Sequence, residues 1–178
     1  MDLNQIAAMD WIDQNGGDSR TVKFIELSSP ATIAAIEDGR VDAGQAGTPI
    51  LTMALDAGKT RVLAQIFDAF GRRFENVGWF TTADYSAKHP DVVQRFAHVM
   101  READAYANAH HSETLDLIAG YTRVDPQVLA RMPRVEFAEY LSARDIQPLI
   151  DAAAKYKAID RTFDAQDLIS PLALKAAR

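Results

Sequence analysis

The chain has 178 residues, 48% of them hydrophobic, with a formal net charge of −6 and no cysteine. That length suits one ordinary domain or two small lobes around a real core. The acidic balance argues against nucleic acid as a general partner, and the lack of Cys excludes disulfides, thiolate zinc sites and cysteine nucleophiles without fixing a compartment.

Met1-Asp2-Leu3-Asn4 leads straight into a helix. Leu3, Ile6, Ala7, Met9 and Ile12 fall at roughly helical spacing, Asp2 or Asn4 is placed to cap it, and Gly16-Gly17 stops it. No leader precedes it, which taken alone reads as cytoplasmic; the abrupt start also suggests a chain that has lost its beginning. No apolar run approaches the roughly 20 residues of a membrane span. Val22 to Leu27 alternates and is rich in β-formers, so it predicts a strand. Ser29 is a natural N-cap and Pro30 a natural first residue for a helix from Pro30 to Asp38. A short strand over Val41 to Gln45, a helix over Pro49 to Ala57 stopped by Gly58, and a strand over Arg61 to Ile66 follow. This alternation argues for a sheet covered by helices.

The second half changes character. Asn76 to Thr82 reads as a strand. Pro90 opens a long helix to about Ala109, with Val92, Val93, Phe96, Val99, Met100, Ala103 and Tyr106 on one face. Helical segments over Glu113 to Tyr121, Asp125 to Met132 and Ser142 to Tyr156 follow, the last with Ile146, Leu149, Ile150 and Ala153 turned inward. A last short turn covers 164–169. The likeliest boundary lies at 67–76, between an α/β part (1–66) and a strand followed by helices (77–178).

In an open α/β sheet, ligands bind where strands end and helices begin. Ser28 and Ser29 lie at such a place, where hydroxyls and helix-start amides suit a sulfonate, nitrate or carboxylate; simple capping by Ser29 explains the same residues. Gln45, Gly47 and Thr48 form a strand-to-helix turn, in which Gly47 permits close backbone approach and Thr48 caps or donates. Asn4 begins the first helix, and Asp68 follows the strand that leads to the boundary. Trp79 and Phe80 alternate on a strand, so one of them is expected in the core. Of the four histidines, His110 and His111 are adjacent and diverge, with no carboxylate spacing that resembles a metal site; they read as exposed helix-end residues, and no metal or cofactor is expected. Asp151 and Lys155, at i, i+4, read as surface helix charges, and Arg72-Arg73 as a solvated turn. No Gly-x-Ser-x-Gly, phosphate loop or paired-carboxylate pattern suggests catalysis.

The segments IAAIEDGRVDAG followed by TP and RVLA, then VGWFTTADYSAKHPDVVQRFAHVMREADAYANAHHSE, and the tail YLSARDIQPLIDAAAKYKAIDRTFDAQDLI together carry a likeness. The chain resembles periplasmic solute-binding proteins of the nitrate/sulfonate/taurine type, the NMT1/THI5-like group. The resemblance implies a type II periplasmic-binding fold: two α/β lobes joined by a hinge at 67–76, the second lobe over 1–66 and the C-terminal share of an incomplete first lobe over 77–178. It implies a periplasmic receptor that captures a small anionic solute in the cleft between the lobes and delivers it to an ABC permease; the residues read above, Asn4, Ser28, Ser29, Gln45, Gly47, Thr48 and Asp68, are the candidate contacts. The family usually has an acidic residue where Thr48 stands, so its loss here disfavours an amine ligand. An unpaired sheet edge would make homodimerisation one outcome. Two alternatives share the resemblance: a ligand-sensing regulatory module, and an enzyme like the pyrimidine synthases of thiamine biosynthesis, which look to need a cysteine-rich motif that this chain lacks.

Overall fold

A computed structural model describes residues 1–175. Among them nine α-helices are formed: α1 (Leu3–Gln14), α2 (Ser29–Glu37), α3 (Ile50–Asp56), α4 (Ala83–Lys88), α5 (Pro90–Ala109), α6 (Leu115–Thr122), α7 (Pro126–Arg131), α8 (Ala143–Lys155) and α9 (Pro171–Lys175). Short 3-10 turns cover Ser19–Thr21, Ile66–Phe70 and Ala165–Leu168.

The expected sheet is not there. Among the described residues no strand is formed, which overturns the α/β, type II periplasmic-binding architecture. Residues 22–28, 43–47, 60–65 and 73–82 run without regular secondary structure. A β-prone sequence becomes a strand only when a neighbour accepts its backbone hydrogen bonds and covers its side chains. Among the described residues none of these four segments forms a ladder with another, and many of their apolar side chains stay in solvent: Ile25 is 57% exposed, Leu63 62%, Trp79 74% and Phe80 98%. The expectation that Trp79 or Phe80 enters the core fails for the same reason; Trp79 makes only an edge contact with Phe96, ring centroids 5.6 Å apart.

The chain divides into two compact units. The first comprises residues 1–19, 66–109 and 136–178; the second, residues 20–65 and 110–135.

In the first unit Ile6 and Ala7 of α1 meet Phe70 and Ala152 in a buried cluster. Leu3, Phe67, Phe74, Leu149 and Ala153 pack around it. The apolar spacing of α1 and α8 puts these residues on facing stripes, and Phe67, Phe70 and Phe74 wedge together with centroids 5.3–6.2 Å apart. Asp2 caps α1, its Oδ1 accepting the Gln5 N–H at 2.9 Å. A polar seam runs beside the apolar one. Asp10, 7% exposed, accepts from Lys155 Nζ at 2.7 Å and Gln14 Nε2 at 2.8 Å. The Tyr156 hydroxyl lies 2.8 Å from Asp13 and 3.1 Å from Asp10, and its one proton serves one of them at a time. Asp13 also accepts from the backbone and hydroxyl of Ser19. Lys155 therefore ties α8 to α1, instead of pairing with Asp151 on its own helix; Asp151 accepts from Gln147 and Thr162. Asn108, near the end of α5, clips Phe137 by both backbone groups, donating to its carbonyl at 2.8 Å and accepting its N–H at 2.9 Å.

In the second unit α2 lies beside α3, and α6 beside α7. Asp125 caps α7, accepting the Gln127 N–H at 2.7 Å. Arg123 ends α6 in the left-handed region at φ 58°. Leu129 is the most deeply buried large side chain, 2% exposed. Arg131 reaches back to Asp56 at 3.1 Å.

Candidate functional site

The structure sorts the seven predicted ligand residues into two sets. Ser28, Ser29, Gln45, Gly47 and Thr48 belong to the second unit, Asn4 and Asp68 to the first.

In the second unit the helix begins one residue earlier than the sequence suggests. Ser28, not Ser29, is the N-cap of α2, with extended backbone (φ −68°, ψ 152°), and Pro30 falls in the first turn. The Ser28 carbonyl accepts both the Thr32 N–H at 2.9 Å and the Thr32 hydroxyl at 3.1 Å. Its side chain makes no capping bond, and it is exposed. The first-turn amides of a helix have no intrahelical acceptor, so those of Ser29 and Ala31 point out beside an uncommitted hydroxyl. Such a turn carries partial positive charge.

The segment after residue 43 is held against this turn. Gly44 has no Cβ because none fits: one placed there would come within 2.2 Å of Thr32 Cγ2 and 3.3 Å of Ile36 Cδ1. This backbone approach brings Gln45, Gly47 and Thr48 past α2, all three exposed. The Gly47 carbonyl then accepts the Leu51 N–H at 3.0 Å and starts α3. Pro49, after a cis Thr48–Pro49 bond, takes the N-cap position there without a side-chain cap, so Thr48 does not cap α3. Gly44 stands outside the seven sequence candidates. Its signal was present, a Gly near the end of a predicted strand, but only the packed neighbour shows which glycine is obligatory.

In the first unit Asn4 sits in the first turn of α1, its amide 3.4 Å from Asp2 Oδ2. Asp68 lies in the 66–70 turn, its side chain exposed and its carbonyl accepting the Gly71 N–H at 3.0 Å. α1 packs on this turn, and Gln14 Nε2 bonds the Ala69 carbonyl at 3.1 Å. Arg73 pairs with Asp145 at 3.2 Å and so is not a free steering charge.

Several carboxylates are electrostatically set by their surroundings. The Ser19 backbone N–H, with Tyr156, holds Asp13 below the usual carboxylate range. The Thr162 hydroxyl does the same for Asp151. Burial raises Glu75, helped by Asp145, and raises Asp104, helped by Glu139. Among the described residues no group of three or more His, Asp or Glu is arranged to hold a metal ion, and His98 Nε2 instead contacts Glu102 at 3.2 Å. No described helix is long and apolar enough to cross a membrane.

The first turn of α2 thus presents amides without an intrahelical acceptor and an exposed Ser28 hydroxyl, with Gly44 packed on Thr32 and Ile36 behind it. Against known proteins, a family model described as NMT1/THI5 like matches residues 2–114. No curated protein and no solved structure matches the chain. The family includes substrate-binding proteins of ABC transporters as well as thiamine-synthase-like members. The match covers more than half of the chain, including Ser28, Ser29, the Gly44–Thr48 segment and Asp68, and on that extent the chain belongs to the NMT1/THI5-like family.

Proposed function

We propose that this chain is a non-catalytic solute-binding protein of an ABC importer. It takes a small anionic organic solute, of the nitrate, sulfonate or taurine kind, outside the cytoplasmic membrane and hands it to the permease. The family match over residues 2–114 carries this reading. The first turn of α2 supports the anionic choice, because its outward amides and the uncapped Ser28 hydroxyl suit an oxyanion. Thr48, neutral where the family usually has an acidic residue, adds no carboxylate to repel one. The pyrimidine-synthase alternative is disfavoured by the absence of cysteine. Self-association belongs to the same reading, since Val77, Trp79 and Phe80 are largely exposed on the 73–82 segment.

The test is calorimetric titration of the chain with nitrate, taurine and short alkanesulfonates, with thermal melts alongside. A ligand at 100 times its Kd stabilises the fold by about 2.7 kcal/mol, enough to move the melting temperature by several degrees. Ser28→Ala, which removes the hydroxyl but keeps the helix start, is expected to weaken binding about tenfold, as loss of one charge-assisted hydrogen bond does. Flat titrations for all three anions would sink the reading.

A further inference from the structure

The second unit holds a pocket of 480 Å³ that none of the seven predicted residues lines. Leu115, Leu129 and Met132 make its apolar wall, with Ala130 of α7 beside them; His111, Ser112 and Arg134 supply its polar edge. Arg134 is the unusual member. It is half-buried, and its guanidinium donates to the His111 carbonyl at 3.3 Å and to the Thr114 hydroxyl at 3.2 Å. The Thr114 hydroxyl in turn lies 3.2 Å from the His110 carbonyl and 3.1 Å from that of His111, and its one proton serves one of them at a time. These tethers fix the plane of the guanidinium but are all neutral. Among the described residues none forms an ion pair with Arg134. A half-buried cation held beside an apolar wall by neutral acceptors alone is suited to receive an anion with an apolar tail.

We infer that this pocket is a second ligand site, and that it takes a small aliphatic carboxylate. The N–H groups of Arg134 not used by the tethers form a planar fork that matches a carboxylate, the Ser112 hydroxyl stands on the same edge, and the aliphatic chain lies on Leu115 and Met132. One cation balances one negative charge. A dianion would remain half neutralised on a chain whose net charge is already −6, and a neutral ligand would leave Arg134 unpaired. The inference does not depend on the solute-binding reading, which concerns the start of α2.

Titration of the full chain with hexanoate, followed by amide chemical shifts, tests it, with hexanamide and inorganic phosphate as comparison probes. Saturable binding is expected, with shifts centred on 111–115 and 129–134. Hexanamide and phosphate should each bind at least about tenfold more weakly, the usual worth of a charge-assisted fork. Arg134→Gln should lose hexanoate affinity by a similar factor. Because that change also removes both tethers, Ala130→Trp is the companion variant: it fills the pocket while leaving Arg134 bound as before, and should abolish binding with an unchanged circular dichroism spectrum. Hexanamide or phosphate binding as tightly as hexanoate, undiminished hexanoate binding in Ala130→Trp, or no saturation by about 50 mM hexanoate would overturn the proposal.

Discussion

Asp10 is the residue on which the polar side of the α1–α8 interface converges. It is buried and takes hydrogen bonds from Lys155 and Gln14, with Tyr156 close by. Removing it leaves those donors facing a gap, so Asp10→Ala is expected to cost about 2–3 kcal/mol, read as a lowered urea midpoint with unchanged slope. A midpoint shift under about 0.5 kcal/mol, the range of an ordinary surface change, would show that the seam is incidental. The same seam sets an alkaline limit. Burial, reinforced by the Asp13 and Asp10 carboxylates and opposed by Lys155, pushes the Tyr156 phenol from 10.0 up to about 12, and the Asp10 bond raises Lys155 as well. A raised pKa means that the folded state keeps its proton longer than the unfolded chain does. Stability from Tyr156 is therefore whole below pH 10 and is lost as the pH climbs to about 12. Melts across that window should fall more steeply for the wild type than for Tyr156→Phe; parallel curves would remove Tyr156 from the account.

At the scale of elements, Gly44 against Thr32 fixes how the 44–48 segment passes α2. Gly44→Ala forces a methyl into Thr32 Cγ2, and because a β-branched side chain is stiff the backbones must part. A loss of about 1–3 kcal/mol follows, and Thr32→Ser, which removes that methyl and keeps the hydroxyl bonded to Ser28, should restore most of it in the double variant. Additive losses in this cycle would show that the contact is not the cause. Helices were the legible part of the sequence. The 3.6-residue apolar rhythm of α5 and α8, with Pro90 and Ser142 at their starts, marks both within a residue or so of their observed ends. Such signals are local: spacing, a cap and a stop lie within one segment. The four β-prone segments had equally clear composition, yet strand formation depends on a partner elsewhere in the chain, which no local pattern supplies. The candidate site was legible to the same degree. Ser28 and Ser29 at a helix start were readable, whereas the obligatory glycine, the α1–α8 seam and the orientation of Arg134 arise from contacts between distant positions.

For the whole molecule, the unpaired segments leave an unusual amount of apolar surface in water. Val77 is 81% exposed, Trp79 74% and Phe80 98%. Single apolar residues on a surface are ordinary, but several on one extended segment mark an association surface. Sedimentation velocity over a tenfold concentration range is expected to show a mass that rises with concentration, and Phe80→Ser should reduce that rise while changing stability by less than about 0.5 kcal/mol. A mass that stays monomeric throughout would refute the association.

The Asn108–Phe137 clip has a topological meaning. One amide side chain joins positions that are 29 apart in the chain, and these two positions flank residues 110–135, which the first unit leaves out. The 110–135 excursion thus departs and returns at adjoining positions, tied by two hydrogen bonds. Segments whose ends adjoin in this way behave as insertions, which a host can gain, lose or exchange without restringing its own core. Residues 110–135 share their unit with 20–65, to which Arg131 ties them through Asp56, so a change in this excursion is expected to be felt at α3 before α1 or α8.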